Sequence, residues 1–266
     1  MKTAFSLILK RDNFKQLLHF IKESGFDGFE PTFHPEGLPS ISSFSKDAEV
    51  LKKEADNIGL EIPSMRGGPL FWTLFGSDKE EERKEAVNIT YKAMEALKIM
   101  GGDTLLIVPG RWNRGQSYLK LYKNCLETAK MIGEIAEKTN IIVGLENVEN
   151  KFLFSPREWC QFIDEINNPY IRIYFDVGNV LYLNRGEPED WIKDLGERIC
   201  RIHLKDCKEQ KIVPLLEGDV NWPSVVKEIK EIGYDSWLSA ELPIPEKYPQ
   251  QFFKKTCISI KKIWSM

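Results

Sequence analysis

A short apolar run, a polar loop and an amphipathic stretch follow one another along this chain, and that rhythm constrains its fold more than any other feature. The apolar runs cover residues 3–8, 27–30, 60–65, 103–108, 141–146, 171–176, 199–204 and 236–241. Several, such as IIVGL and IRIYF, are rich in β-branched residues, which suits strands covered on both faces. Helical spacing fills the gaps. Phe14, Leu17, Leu18 and Ile21 share one face after Asp12, an N-cap candidate, and Gly25 supplies a stop. Ser77, Ser117 and Ser155-Pro156 open further helices, Trp222-Pro223 opens another, and the stretch from Tyr248 to Ile263 closes the set. Short turns (GFDG, GGDT, GYDS) lead back into the next strand, so the sheet is expected to be parallel.

Eight strand–helix units in 266 residues fit a closed barrel better than a doubly wound sheet. No glycine-rich nucleotide fingerprint follows the first strand. The expected fold class is α/β, a single (β/α)8 TIM barrel over residues 1–266.

Charge and composition narrow the function. Lys+Arg number 37 against 40 Asp+Glu, a formal net charge of -3, which argues against nucleic acid held on a basic face. Three histidines nearly exclude a multi-zinc hydrolase. The cysteines (Cys125, Cys160, Cys200, Cys207, Cys257) are odd in number and form no CxxC pair, as in a reduced, cytoplasmic chain. Cys200 and Cys207 flank His203, but no second imidazole lies nearby and Cys200 reads as a strand residue. The amino-terminal apolar run is too short for a signal peptide, and no stretch is apolar enough to suggest a membrane partner.

In such a barrel the chemistry lies at the carboxyl ends of the strands. Strand two is expected to end at Glu30, strand five at Glu146, strand six at Asp176, strand seven at His203 with Lys205-Asp206 behind, and strand eight at Glu241. A carboxylate at the end of a buried strand is costly unless it is paired, hydrogen-bonded or bound to a cation. Three carboxylates and one imidazole on four successive strands suit Mn²⁺, Mg²⁺ or Co²⁺ better than zinc. The competing arrangement is a charged rim in which His203 pairs with Asp176 or Asp206.

Other residues are less constrained. His19 reads as an ordinary helix residue, and His34 either reaches the mouth or caps a loop. Trp112 can stack on a sugar ring or merely cover the barrel top. Phe71, Trp72 and Phe75 form a lid or an inert apolar cover. Arg66, Arg111, Arg114 and Lys205 are phosphate candidates by charge and loop position.

The strand ends and their surroundings resemble the sugar isomerase/epimerase superfamily of xylose-isomerase-like barrels. The matching segments are GLENVENKFLFSP around Glu146, YFDVGN around Asp176, RIHLKD around His203, and LLEGDVNWPSVVKEIKEIGYDSWLSAEL leading to Glu241. The resemblance spans essentially the whole chain. It implies one divalent metal, Mn²⁺ above Mg²⁺ or Co²⁺, on Glu146, Asp176, His203 and Glu241, with the two glutamates as acid/base groups. It also implies a homodimer or homotetramer. The pattern is similar to the tagatose/psicose 3-epimerases and the pentulose-5-phosphate 3-epimerases. Many enzymes of free ketoses carry His three residues after the strand-six Asp; here that residue is Asn179, and the DVGN and HLKD forms look more like the phosphopentulose branch.

The implied activity is epimerisation of a ketose or ketose phosphate at C3 through a cis-enediolate. One glutamate removes the C3 proton and the other returns one to the opposite face. Glu30, His34, Arg66, Trp112, Asn179 and Lys205 are the expected substrate contacts. An aldose–ketose isomerase, or a dehydratase of an inositol-derived ketone, would use the same groups. An abasic-site endonuclease on this barrel would need more imidazoles than His34 and His203 provide. A non-catalytic sugar-binding barrel would show no metal-dependent proton exchange.

Overall fold

Eight parallel strands close on themselves in the computed structural model, which describes residues 1–266. They are β1 (Lys2–Leu7), β2 (Gly28–Phe33), β3 (Ser64–Gly67), β4 (Thr104–Ile107), β5 (Ile142–Glu146), β6 (Ile171–Asp176), β7 (Ile199–Leu204) and β10 (Trp237–Ala240). Around the barrel the order is β1-β10-β7-β6-β5-β4-β3-β2, and Lys2 registers with Trp237 where the last strand meets the first. The expected TIM barrel is the observed fold.

The helices α1 (Phe14–Glu23), α2 (Phe44–Ile58), α4 (Glu80–Met100), α5 (Tyr118–Thr139), α6 (Pro156–Ile166), α8 (Pro188–Leu195), α9 (Trp222–Glu231) and α10 (Pro249–Trp264) form the outer ring. Ser117 and Ser155 cap α5 and α6 by accepting the amides of Lys120 and Glu158, as their positions suggest. Asp12 does not cap α1; Asn13 occupies that place without a side-chain bond. Two short helices, α3 (Phe71–Leu74) and α7 (Val177–Tyr182), sit on the loops after β3 and β6. No helix is long and apolar enough to cross a membrane.

Bulky side chains of the strands face outward to the helices. Phe5 on β1 meets Phe253 of α10 edge-on at 4.8 Å, and Phe175 on β6 packs against Trp191 of α8. Alternation with period two then turns the neighbouring residues into the barrel. That interior is unusually polar: Glu30, Ser64, Tyr174 and His203 meet there through hydrogen bonds and ring contact. Gly144 on β5 leaves the space Tyr174 needs, since a Cβ there would lie 2.8 Å from the Tyr174 Cβ.

Two features depart from the sequence reading. Strand β2 runs on to Phe33, with Pro31 in register beside Leu7, so Glu30 lies within the strand rather than at its end. Pro31 simulated a strand end. The other is an antiparallel hairpin, β8 (Asp206–Lys208) and β9 (Lys211–Val213), beside the mouth. Its two turn residues, Glu209 and Gln210, both take positive φ, 48° and 57°, a conformation usually signalled by Asn-Gly.

Asp206 organises this corner. Its fully buried carboxylate accepts the amides of Cys207 (2.9 Å), Leu216 (2.9 Å) and Val220 (3.3 Å) and the indole N–H of Trp222 (3.0 Å). Asp206→Ala leaves three buried donors and one part-buried donor without an acceptor and is expected to cost roughly 3–5 kcal/mol. A urea unfolding midpoint that stays at the wild-type value would contradict this role.

Candidate metal centre and substrate cavity

Four adjacent staves, β5, β6, β7 and β10, bring Glu146, Asp176, His203 and Glu241 together at the carboxyl end of the barrel. One potential ligand atom from each lies within 4.8 Å of the others. His203 Nδ1 stands 3.7 Å from Glu146 Oε1, 3.9 Å from Asp176 Oδ2 and 3.4 Å from Glu241 Oε2. Such separations suit atoms about 2.0–2.2 Å from a shared cation. His203 Nδ1 is buried and has no hydrogen-bond partner. Asp176 Oδ2 and Glu241 Oε2, equally without a well-aligned hydrogen bond, face the Lys205 ammonium at 2.9 and 2.5 Å. Asp176 Oδ1 is meanwhile spent on capping α7 through the Asn179 amide, 2.8 Å away. These residues fit a hard divalent cation.

Local structure explains each placement. Asn147 locks the loop after β5 to the end of β6: its Oδ1 accepts the Asp176 amide at 2.7 Å and its Nδ2 donates to the Asp176 carbonyl at 2.9 Å. Lys205 packs over Gly178, where a Cβ would come within 2.4 Å of its own Cβ. Arg66 on β3 holds Thr32 Oγ1 with Nε and Nη2 (3.1 and 2.9 Å) and pairs through Nη1 with Glu241 Oε1.

Below the cluster lies a residue whose position sequence reasoning misplaced. Glu30 does not line the cavity above the cluster; it is fully buried, against His203. His203 Nε2 donates to Glu30 Oε1 at 2.8 Å, while Tyr174 OH (2.6 Å) and Ser64 Oγ (2.5 Å) donate to Oε2. His203 thus pairs with neither Asp176 nor Asp206 at hydrogen-bond distance.

Burial would raise the Glu30 pKa, but His203, Ser64 and Tyr174 outweigh it and hold the group at about 2. Burial likewise opposes protonation of His203, yet Glu30 and Glu146 lift its pKa to about 9. At Glu146 burial is outweighed by His203, Lys205 and Arg66, so its carboxyl falls below the usual range; at Asp176 burial dominates and the pKa rises.

A cavity of about 310 Å³ opens above the cluster, walled by Thr32, His34, Arg66, Trp72, Glu146, Lys205 and Glu241 among others. His34, Arg66 and Lys205, three of the expected substrate contacts, line this cavity. His34 also caps its loop, with Nδ1 accepting the Glu36 amide at 3.2 Å. Two expected contacts fall elsewhere. Asn179 is buried, and its amide is committed to the Asn147 carbonyl at 2.9 Å. Trp112 lines the neighbouring cavity instead, with its indole N–H bonded to the Gln116 carbonyl; the aromatic on the central wall is Trp72. His19 is an exposed residue of α1.

A closed barrel with an acidic–imidazole cluster at its mouth defines the class, and comparison defines the family. The xylose isomerase-like TIM barrel family matches residues 18–256, and the chain belongs to it. An uncharacterized protein of Methanocaldococcus jannaschii is 26% identical over 248 residues, covering 89% of this chain and 81% of its own. The L-ribulose-5-phosphate 3-epimerase UlaE of Escherichia coli is 22% identical over 226 residues, covering 82% and 78%. The crystal structure of D-psicose 3-epimerase with D-tagatose from Clostridium cellulolyticum superposes with a TM-score of 0.82 at 15% identity, covering 99% of both chains.

The carboxylate behind a metal-binding imidazole fixes its tautomer and strengthens it as a ligand. Glu30→Gln is therefore expected to weaken binding of a divalent cation about 10- to 100-fold. Calorimetric titration of Mn²⁺ into the folded variant checks this, and an unchanged dissociation constant rejects it.

Proposed function

We propose that this chain is an isomerase that inverts C3 of a ketose or ketose phosphate with a divalent cation on Glu146, Asp176, His203 and Glu241. Three carboxylates and one imidazole suit Mn²⁺, Mg²⁺ or Co²⁺, and of these we assign Mn²⁺. The family supports an isomerase, and relatives named as L-ribulose-5-phosphate and D-psicose 3-epimerases support a ketose substrate. One observation carries the mechanism. Glu146 and Glu241 come from staves separated by two others, yet both line the same small cavity.

When bound, the cation supplies positive charge beside the ketone and hydroxyl oxygens, where negative charge develops as the C3 proton leaves. Glu146, with Lys205 and Arg66 nearby to favour its ionised form despite burial, is suited to accept that proton. Glu241, fixed between Arg66 and Lys205, faces the substrate from the other side and returns a proton there. The two exchange roles according to the configuration at C3. A shift between C1 and C2 needs one base on one face, so a pair on separated staves favours epimerisation. Trp72 and the aliphatic Leu106 and Val108 give the cavity an apolar side for the carbon chain.

With Mn²⁺ in deuterated water, the protein is expected to wash deuterium into C3 of its ketose and yield a new ketose, not an aldose. Glu146→Gln and Glu241→Gln should each lower the exchange about 10²- to 10⁴-fold, on the scale of removing an acid/base group. Nuclear magnetic resonance of the sugar reads both outcomes, with Mn²⁺ binding measured alongside to separate lost base from lost metal. Full exchange in either variant rules out the two-base assignment.

A further inference from the structure

Next to the central cavity lies a larger one of about 790 Å³, and the two share Pro69, Trp72 and Glu149. The shared residues set the two cavities side by side, so a substrate whose reacting end sits over the acid–imidazole cluster can place its far end there. Its lining is rich in cations: Arg111, Arg114 and Lys151 stand against the single carboxylate of Glu149.

The segment that carries two of these cations is firmly built. Asn150, fully buried, grips the backbone on both sides of Arg111: its Nδ2 donates to the Gly110 carbonyl and its carbonyl accepts the Trp112 amide, each at 2.9 Å. Gln116 ties the far end of the loop to the Gly76 carbonyl at 2.8 Å and accepts the Trp112 indole N–H on its own carbonyl at 2.8 Å. The Arg111 guanidinium stacks over Trp72, 5.3 Å from the ring centroid. Since Trp72 lines both cavities, this cation is held at their junction, and stacking leaves the edge of its N–H fork free for an anion.

We infer that the outer cavity is an anion subsite that receives a phosphate ester on the end of the ketose remote from the reacting carbons. The inference rests on the ketose reading for what fills the central cavity. A second sugar ring would use Trp72 and Trp112, but it gives no reason for three cations around the space. A phosphate oxygen set does, because guanidinium and ammonium groups supply short charge-assisted bonds to it.

Two measurements test the subsite separately from the reaction. Glycerol 3-phosphate, titrated calorimetrically into the metal-loaded protein, should bind, and Arg111→Gln should weaken it about 10- to 100-fold. Arg114→Gln, exposed on the same loop, should weaken it in the same direction and serves if Arg111→Gln fails to fold. No binding, or equal binding by wild type and folded variants, overturns the subsite. In kinetics, kcat/KM for a pentulose 5-phosphate relative to the same pentulose without phosphate should favour the ester, and Arg111→Gln should lower that ratio about 10- to 100-fold. A wild-type preference for the free sugar or for a neutral ketoside overturns the subsite while leaving the epimerase reading intact. Absence of exchange with every ketose rejects the epimerase reading, and the glycerol 3-phosphate titration then still decides the subsite.

Discussion

The hydrogen bond from His203 to Glu30 lies at the centre of the barrel, and the architecture around it is arranged to make it tolerable. An ionised carboxylate out of reach of water costs several kcal/mol unless donors replace its hydration. Glu30 receives three, from β7, β6 and β3, so the pair links staves on opposite sides of the barrel. Room for that network comes from small residues such as Gly144 and Ser64 on the inner face. The large apolar side chains are displaced outward, and cohesion depends on strand–helix contacts such as Phe5 with Phe253. With one nitrogen of the ring occupied from below, only Nδ1 remains for the acids above.

The mouth is divided accordingly. Staves β5, β6, β7 and β10 are contiguous and supply the acids and the imidazole. The other contiguous half, from β1 through β4, supplies Thr32 and Arg66, and its loops add His34, Trp72 and, beyond the central cavity, Arg111. One half is chemically fit to hold a cation, the other to hold polar, apolar and anionic parts of an organic molecule. Glu30 crosses between them: it belongs to β2 but acts on the imidazole of β7.

How far the sequence displays this depends on whether the governing interaction is local. The runs ending in Asp176 and before Lys205 match β6 and β7 residue for residue, because an apolar stretch that stops at a charge marks a buried strand meeting the mouth. The same signal exposes Glu146 and Glu241. It fails for Glu30, where Pro31 imitates a strand end and the compensating donors come from 34, 144 and 173 residues away. Asn179 looks available because its amide is polar; its partner, the Asn147 carbonyl, belongs to a different loop. Trp112 and Trp72 are equally plausible ring-stacking residues by type, and only the fold decides which one the central cavity meets. The β8–β9 hairpin escapes notice because Glu209 and Gln210 adopt positive φ without the usual residue types.

Charge balance joins the metal centre to the cations around it. Counted as ionised, Glu30, Glu146, Asp176 and Glu241 are offset by Arg66, Lys205 and one divalent cation, with His203 neutral as a ligand. With such a cation bound the centre would be neutral overall, and negative charge forming on a substrate oxygen would not be repelled by a surplus of carboxylate. Arg66 and Lys205 are already engaged with Glu241, and Lys205 also with Asp176, which leaves neither wholly free for a second anion. A substrate that brings its own phosphate therefore needs cations outside the centre. The outer cavity provides them on a loop clamped by Asn150, and Trp72 lines both that cavity and the central one.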